Sequence, residues 1–90
     1  MARKRNDRPE GLAGQLGERI ESLRKDAGLA AAELAAAAGI GSGTVIRAEA
    51  GRSSPVIENV LAIAHALGLS GAELLKGCDE WTSKPKKNTR

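Results

Sequence analysis

The sequence contains almost no aromatic residues: tyrosine and phenylalanine are absent, and Trp81 is the only tryptophan. Because β-sheets favour aromatic and β-branched side chains, this scarcity argues against an all-β sandwich or barrel. A single cysteine, Cys78, argues against a disulfide scaffold. No apolar run approaches the ~18 residues of a membrane-spanning helix. The basic N-terminus is not followed by the apolar segment of a signal peptide, so we expect a cytoplasmic protein with no membrane partner.

The sequence also lacks the residue sets that catalysis and metal binding require. His65 is the only histidine and has no suitable partner for a metal site. No arrangement of serine or cysteine with histidine indicates an activated nucleophile, and the glycines do not form a phosphate-binding loop. A chain of 90 residues leaves little room for a substrate cavity of roughly 300 Å³ or more. We therefore expect no enzymatic activity, no metal, no cofactor and no small-molecule ligand.

Alanine is abundant instead, with sixteen residues, and it has the highest helix propensity. Glycine follows five segments that have helical apolar spacing. Just past a helix end, glycine adopts the left-handed backbone conformation without a Cβ penalty. The pattern predicts an all-α fold of five short helices that end at Gly28, Gly39, Gly51, Gly68 and Gly77.

The five predicted helices cover 13–27, 30–38, 42–50, 55–67 and 71–76. The fourth helix is predicted to begin with Ser54 as its cap and Pro55 in its first turn. Ser70 and Glu73 have the spacing of a capping box at the start of the fifth helix. The apolar stripe of the fourth helix is predicted to contain Ile57, Val60, Leu61, Ala64 and Leu67.

Charge is distributed unevenly along the chain. Residues 1–10 carry a net charge of +2, residues 11–80 of −3 and residues 81–90 of +4. We expect a flexible basic arm at 1–10, a folded domain at 11–78 and a flexible basic tail at 79–90. Basic ends favour an acidic polymer as partner, although they can also act only as solubilising segments.

The second and third predicted helices are separated by Gly39, Ile40 and Gly41. Two short helices joined by a tight turn that contains glycine are typical of a DNA-reading helix-turn-helix. In this arrangement Ala35 lies where the helices cross, and Ile40 and Val45 hold the pair against the rest of the domain.

With this pattern the chain resembles the lambda-repressor-like (Xre/Cro) helix-turn-helix family. The resemblance runs without a gap from about Leu16 to Leu75. It implies a compact five-helix domain that usually binds DNA as a dimer and regulates transcription. The stretches that carry it are LGERIESLRKDAGL, ELAAAAGI, TVIRAEAGR and SPVIENVLAIAHALGLSGAELL.

The resemblance also implies roles for individual residues. Arg47 is the main candidate reader, because a guanidinium can donate to O6 and N7 of one guanine. Arg52 lies where the family often contacts phosphate, and Arg24 with Glu49 would form the family's buried ion pair. The positions that face bases in the family correspond to Ser42, Gly43, Thr44 and Arg47.

Several positions depart from the family pattern. Ala30 and Ala31 replace a capping serine and a glutamine that commonly contacts phosphate. Gly41 replaces the serine that usually opens the third helix. Ile46 replaces an exposed polar residue, and it could pack on a thymine methyl group or contact another protein. The expected reading surface is therefore poor in hydrogen-bonding groups.

The remaining candidates lie mostly near the two ends. Arg3, Lys4 and Arg5 could form an arm that follows a DNA groove, or a solvated tail. Lys84, Lys86 and Lys87 are expected to make loose phosphate contacts or none. We expect Cys78 to be a surface thiol. Trp81 could cover the end of the core or lie at a dimer interface.

Two functions agree with the sequence. The first is a sequence-specific DNA-binding transcriptional regulator, a repressor that reads the major groove with the helix at 42–50. Its partners would be double-stranded DNA and a second copy of the chain, and it would associate with the nucleoid when bound. The alternative is a helix-turn-helix module for protein contact, such as an antitoxin or a binder of another regulator, with weak or no specific DNA binding.

Overall fold

The computed structural model describes residues 11–78, which form five α-helices. The predicted all-α fold is therefore confirmed, and the predicted helix bounds differ from the observed ones by two residues or fewer. The predictions for residues 1–10 and 79–90 lie outside the described residues. None of the described helices is long and apolar enough to cross a bilayer. The helices are α1 (Leu12–Asp26), α2 (Ala31–Ala38), α3 (Ser42–Ala50), α4 (Ile57–Ala66) and α5 (Gly71–Leu74).

All five predicted stop glycines have a left-handed backbone, with φ between 74° and 85°. The helices that they end pack around one core. α3 packs against α1 and α2, and α4 packs against α2 and α5. The core holds small and aliphatic side chains from every helix: Leu16, Ile20, Leu34, Ala35, Val45, Ala48, Val60, Ile63, Ala64, Leu74 and Cys78.

The predicted start of the fourth helix is wrong. The helix begins at Ile57 with Val56 as its cap, and no side chain caps it. Pro55 disfavours helical backbone at Ser54, and Val56 keeps an extended conformation with φ −67° and ψ 155°. The helix therefore starts two residues later than the serine–proline signal indicates.

The predicted apolar stripe of α4 is only partly correct. Val60 and Ala64 are buried, but Ile57 is 59% exposed and Leu61 is 41% exposed. Ile63, which the stripe omitted, is completely buried. The helix packs through the face of 60, 63 and 64, so the true stripe is turned toward the Ile63 side and leaves Ile57 and Leu61 on its flank.

The capping box of α5 forms as predicted. Ser70 Oγ accepts from the Glu73 N–H at 3.1 Å, and Glu73 Oε1 accepts from the Ser70 N–H at 2.8 Å. The hydrogen bonds from the backbone and side chain of Ser70 lower the pKa of Glu73. An arginine that sequence reasoning missed joins this helix to α1: Arg19 Nε and Nη2 donate to the Leu74 and Glu73 carbonyl oxygens, both at 2.7 Å.

Cys78 is not the surface thiol that we predicted, because its side chain is 2% exposed and belongs to the core. After α5 the chain does not leave the domain. The Cys78 N–H donates to the Leu75 carbonyl at 2.9 Å, and Gly77 has φ 85°. This turn directs the cysteine back against the core.

Candidate nucleic-acid interface

The turn between α2 and α3 closes with two backbone hydrogen bonds. The Ile40 N–H donates to the Ala35 carbonyl at 3.0 Å, and the Gly39 N–H donates to the Ala36 carbonyl at 3.2 Å. This 6→1 and 5→2 pair is a Schellman motif, which needs a left-handed residue at Gly39. The motif reverses the chain within three residues and places α3 across α2.

α3 presents one face outward along its whole length. Val45, Ala48 and Glu49 are buried, whereas Ser42, Ile46, Arg47 and Ala50 are exposed. We call the stripe of Ser42, Gly43, Ile46, Arg47 and Ala50 the outer face of α3. The spacing of these residues is that of one side of a helix. The helix from 42 to 50 thus has one exposed face and one face buried against the core.

The structure brings most of the predicted base-reading residues onto this face. Ser42, Ile46 and Arg47 are exposed and lie within two turns of each other, and Gly43 is half-buried between them. Thr44 is also half-buried, whereas Ser42 is exposed. Ile46 is 56% exposed, which places an apolar group among the candidate readers.

The charge of this surface differs from that of the whole domain. Residues 11–78 carry six basic and seven acidic side chains, a net charge of −1. In the sequence from residue 40 to residue 54, however, Glu49 is the one acidic residue, and it is buried and ion-paired. Arg47 and Arg52 are both exposed there. The outer face of α3 and the loop after it are therefore locally positive, which suits a phosphate-bearing partner.

Arg24 and Glu49 form the predicted ion pair between α1 and α3. Arg24 Nε lies 2.7 Å from Glu49 Oε2, and Nη2 lies 3.0 Å from Oε1. Arg24 Nη1 also donates to the Leu29 carbonyl at 2.9 Å. The hydrogen bond to Glu49 raises the pKa of Arg24 above its ordinary value. This fork joins the end of α3 to α1.

Gly17 and Gly51, whose roles sequence reasoning missed, allow the backbones of α1 and α3 to approach each other closely. A Cβ at Gly17 would lie 2.6 Å from the carbonyl oxygens of both Ala48 and Glu49. A Cβ at Gly51 would lie 2.8 Å from the Gly14 Cα. Backbone therefore packs directly on backbone here. A signal was present in the sequence, because Gly14 and Gly17 lie inside a predicted helix, where glycine is otherwise unfavourable.

The start of α2 has half of a capping box. Glu33 Oε1 accepts from the Ala30 N–H at 2.7 Å, but Ala30 has no side-chain oxygen to return the bond. The start of α3 likewise has no side-chain cap at Gly41. The departures at Ala30 and Gly41 therefore leave α2 and α3 without a side-chain cap.

His65, for which we expect no metal, is exposed on α4. Residues 11–78 hold no cluster of histidine, cysteine or acidic side chains suited to a metal ion. The remaining basic candidates and Trp81 lie outside the described residues: Arg3, Lys4, Arg5, Lys84, Lys86 and Lys87.

Residues 15–76 match the family model of a helix-turn-helix domain. This chain belongs to that helix-turn-helix family. Similar solved structures are lambda-repressor-like regulators, as the resemblance predicted. The comparison with curated proteins found no significant match.

Three solved structures illustrate the similarity. The clp gene regulator ClgR from Corynebacterium glutamicum is 35% identical with a TM-score of 0.71, and the match covers 79% of this chain and 77% of that one. The restriction-modification controller protein C.AhdI from Aeromonas hydrophila is 31% identical, with a TM-score of 0.66 and coverage of 69% and 94%. The P22 c2 repressor, in complex with a synthetic operator, is 35% identical, with a TM-score of 0.62 and coverage of 69% and 94%.

Proposed function

We propose that this helix-turn-helix protein is a sequence-specific DNA-binding transcriptional regulator that acts as a repressor and reads the major groove with α3. The observation that carries the proposal is the outer face of α3, which is exposed along two turns and bears Arg47. A major groove about 12 Å wide admits one α-helix. Similarity to a repressor whose structure includes an operator supports both the DNA partner and the direction of regulation.

Within this proposal the residues have different tasks. Arg47 donates to a guanine edge, and Ser42 donates to a base edge or a phosphate. Arg52 contacts phosphate and carries no sequence information. Ile46 packs on a thymine methyl group. Ala30 and Gly41 have no hydrogen-bonding side chains at the starts of α2 and α3. Base contacts and charge therefore contribute a large share of the affinity for DNA.

We propose further that two copies bind one operator. One copy offers a reading surface of only about two helical turns, and a second copy doubles the contacts. In helix-turn-helix dimers the half-sites lie about 34 Å apart, one turn of DNA. A palindromic site with this spacing is the expected footprint.

Selection of bound fragments from a random DNA pool tests the function. We expect an enriched palindrome for the wild type. Arg47→Ala should lose preference at one base pair of each half-site, by about 1–3 kcal/mol, because the guanidinium–guanine contact is gone. Arg52→Ala is the matched control, since it also removes one exposed arginine but should weaken all sequences similarly. An unchanged enrichment profile for Arg47→Ala would show that the reader is assigned wrongly.

The exposed Ile46 favours a second candidate function, a module for protein contact. An apolar side chain that is 56% exposed on the same face is also suited to a protein surface. Ile46→Ser separates the two functions. Loss of preference at a thymine-bearing position supports groove contact, whereas unchanged DNA selection with loss of a co-purifying protein supports the module.

A further inference from the structure

Gly43 and Arg47 lie one helical turn apart on the outer face of α3, and the guanidinium of Arg47 lies over the position that a side chain at residue 43 would occupy. A Cβ placed on Gly43 would lie 3.3 Å from Nη1 and 4.0 Å from Cζ of Arg47. Apart from residues 42 and 44 and the neighbouring backbone of α3, the guanidinium is the only group of the described residues within 4 Å of that position. Gly43 is half-buried, while Ser42 before it is exposed.

The geometry has a simple origin. Side chains on a helix point toward its N-terminus, so the side chain of residue 47 extends over residue 43. A Cβ at this position would stand in the path of the guanidinium at a distance that requires one of them to move. Because Gly43 has none, the arginine lies down along the helix and brings its planar group to the first turn of α3. That end of a recognition helix contacts base edges.

We propose that Gly43 is a positioning residue that determines which base pair Arg47 reads. Resting on the proposed function, this inference adds that residues 43 and 47 act as one reading unit. A side chain at 43 lifts the guanidinium away from the first turn and moves its donors along the groove. Gly43 makes no base contact of its own, and its effect depends entirely on Arg47.

A purely steric role for Gly43 leads to a different expectation. If the glycine only allowed DNA to approach the backbone, a larger residue would weaken every sequence similarly and would do so whether or not Arg47 is present. Whether the effect of a side chain at residue 43 depends on Arg47 therefore distinguishes a positioning role from a purely steric one.

The experiment uses the full chain with Gly43→Ala, Gly43→Val, Arg47→Ala and the double variant Gly43→Val/Arg47→Ala. Each is selected against the same random DNA pool, and affinities are measured for the wild-type site and its single-base variants. Thermal melting checks folding. Alanine and valine both have higher helix propensity than glycine, so neither should lower the melting temperature.

We expect Gly43→Val to change the preference at the base pair that Arg47→Ala also affects, by about 5-fold or more, the low end of an arginine–guanine contact. Gly43→Ala should produce a smaller change at the same base pair, because the guanidinium needs to move by only a few tenths of an ångström. In the Arg47→Ala background, Gly43→Val should leave the relative preferences unchanged.

Three results would overturn the inference: an effect at a different base pair, a uniform loss across all sequences, or the same effect without Arg47. If Gly43→Val does not fold, Gly43→Ala decides on the same criteria. A wild type with no sequence preference contradicts the proposed function itself, and the inference with it. A preference that depends on Arg47 but is unmoved by residue 43 contradicts the inference alone.

Discussion

At the scale of single residues, an arginine–glutamate fork joins α1 to the end of α3. Arg24 and Glu49 retain only 13% and 11% of their side-chain exposure, and two hydrogen bonds join them. Because the pKa of Arg24 is raised in the folded protein, the ion pair contributes to the free energy of unfolding. This contribution is fully present at any pH below the ordinary pKa of arginine. It is lost only as the pH rises through that raised pKa, so the arginine stays charged at neutral pH.

We predict that Arg24→Ala lowers the free energy of unfolding by about 3 kcal/mol, because it strips two hydrogen bonds from a carboxylate that is out of water. Urea denaturation measures the loss. Lys25→Ala is the matched control on the same helix: its ion pair with Glu21 is 3.0 Å long, but the lysine is 55% exposed. That change should cost less than about 1 kcal/mol. Equal losses for the two variants would contradict the structural role of the fork.

Gly17 gives a prediction whose sign depends on tertiary structure. In an isolated helix, Gly→Ala stabilises by up to ~1 kcal/mol. Here the new Cβ would lie 2.6 Å from two carbonyl oxygens of α3, and these backbone atoms cannot rotate away. We therefore expect Gly17→Ala to destabilise the domain by at least about 2 kcal/mol, as overpacking does.

Gly43→Ala is the matched control for Gly17→Ala. Both residues are helical glycines, but the atom nearest to a Cβ at 43 is the tip of a flexible arginine. This variant should be as stable as the wild type or more so. Thermal melting of the two variants side by side checks the contrast, and a gain in stability for Gly17→Ala would show that α1 and α3 are less closely packed than described.

At the scale of the elements, α2 begins with a carboxylate where a helix-turn-helix approaches DNA. The first helix of the motif crosses the phosphate backbone. The N-terminus of α2 is a favourable place for an anion, but Glu33 already accepts the Ala30 N–H at 2.7 Å. Under the proposed function, we expect the negative charge of Glu33 to oppose the approach of phosphate to this end of α2.

We predict that Glu33→Gln raises the affinity for all DNA sequences by about 2- to 5-fold at low salt, because glutamine keeps the capping hydrogen bond but removes the charge. The gain should shrink as salt screens the interaction. Glu73→Gln is the matched control: it alters the same kind of capping carboxylate on α5, which packs against α4. Fluorescence anisotropy measures both. Weaker binding by Glu33→Gln would show that this carboxylate favours the complex.

At the scale of the whole molecule, the net positive charge of the chain lies at its two ends and not in the residues that include the outer face of α3. The described residues 11–78 have a net charge of −1, whereas residues 1–10 carry +2 and residues 79–90 also carry +2. On the outer face of α3 and the loop after it, the exposed positive side chains are those of Arg47 and Arg52. Under the proposed function, we therefore expect the two ends of the chain to supply most of the long-range attraction to DNA.

We predict that deletion of residues 1–8, which removes Arg3, Lys4, Arg5 and Arg8, weakens binding to all DNA sequences similarly. Each lost phosphate contact should make the slope of log affinity against log salt shallower by about 0.9. Anisotropy titrations across a salt series measure the slope. Arg47→Ala provides the contrast, because it should mainly change sequence preference. A deletion that changed preference and left the slope intact would assign base reading to the arm.

The sequence was sufficient for the number and order of the helices, because their signals are local. Glycine stops, alanine propensity and apolar spacing act within one helix at a time, and the predicted and observed bounds of α3 are the same. The capping box of Ser70 and Glu73 formed for the same reason. The pairing of Arg24 with Glu49 came from the family resemblance and was not readable from spacing.

Tertiary packing decided the features that involve partners distant in sequence. The rotation of α4 toward Ile63, the burial of Cys78 and the direct contact of α1 with α3 at Gly17 each depend on which helix lies opposite. The position of the Arg47 guanidinium over residue 43 depends on a side-chain direction, which periodicity does not specify. Local propensity therefore determined which segments became helices. Packing between segments distant in sequence determined which face of each helix is buried and which is exposed.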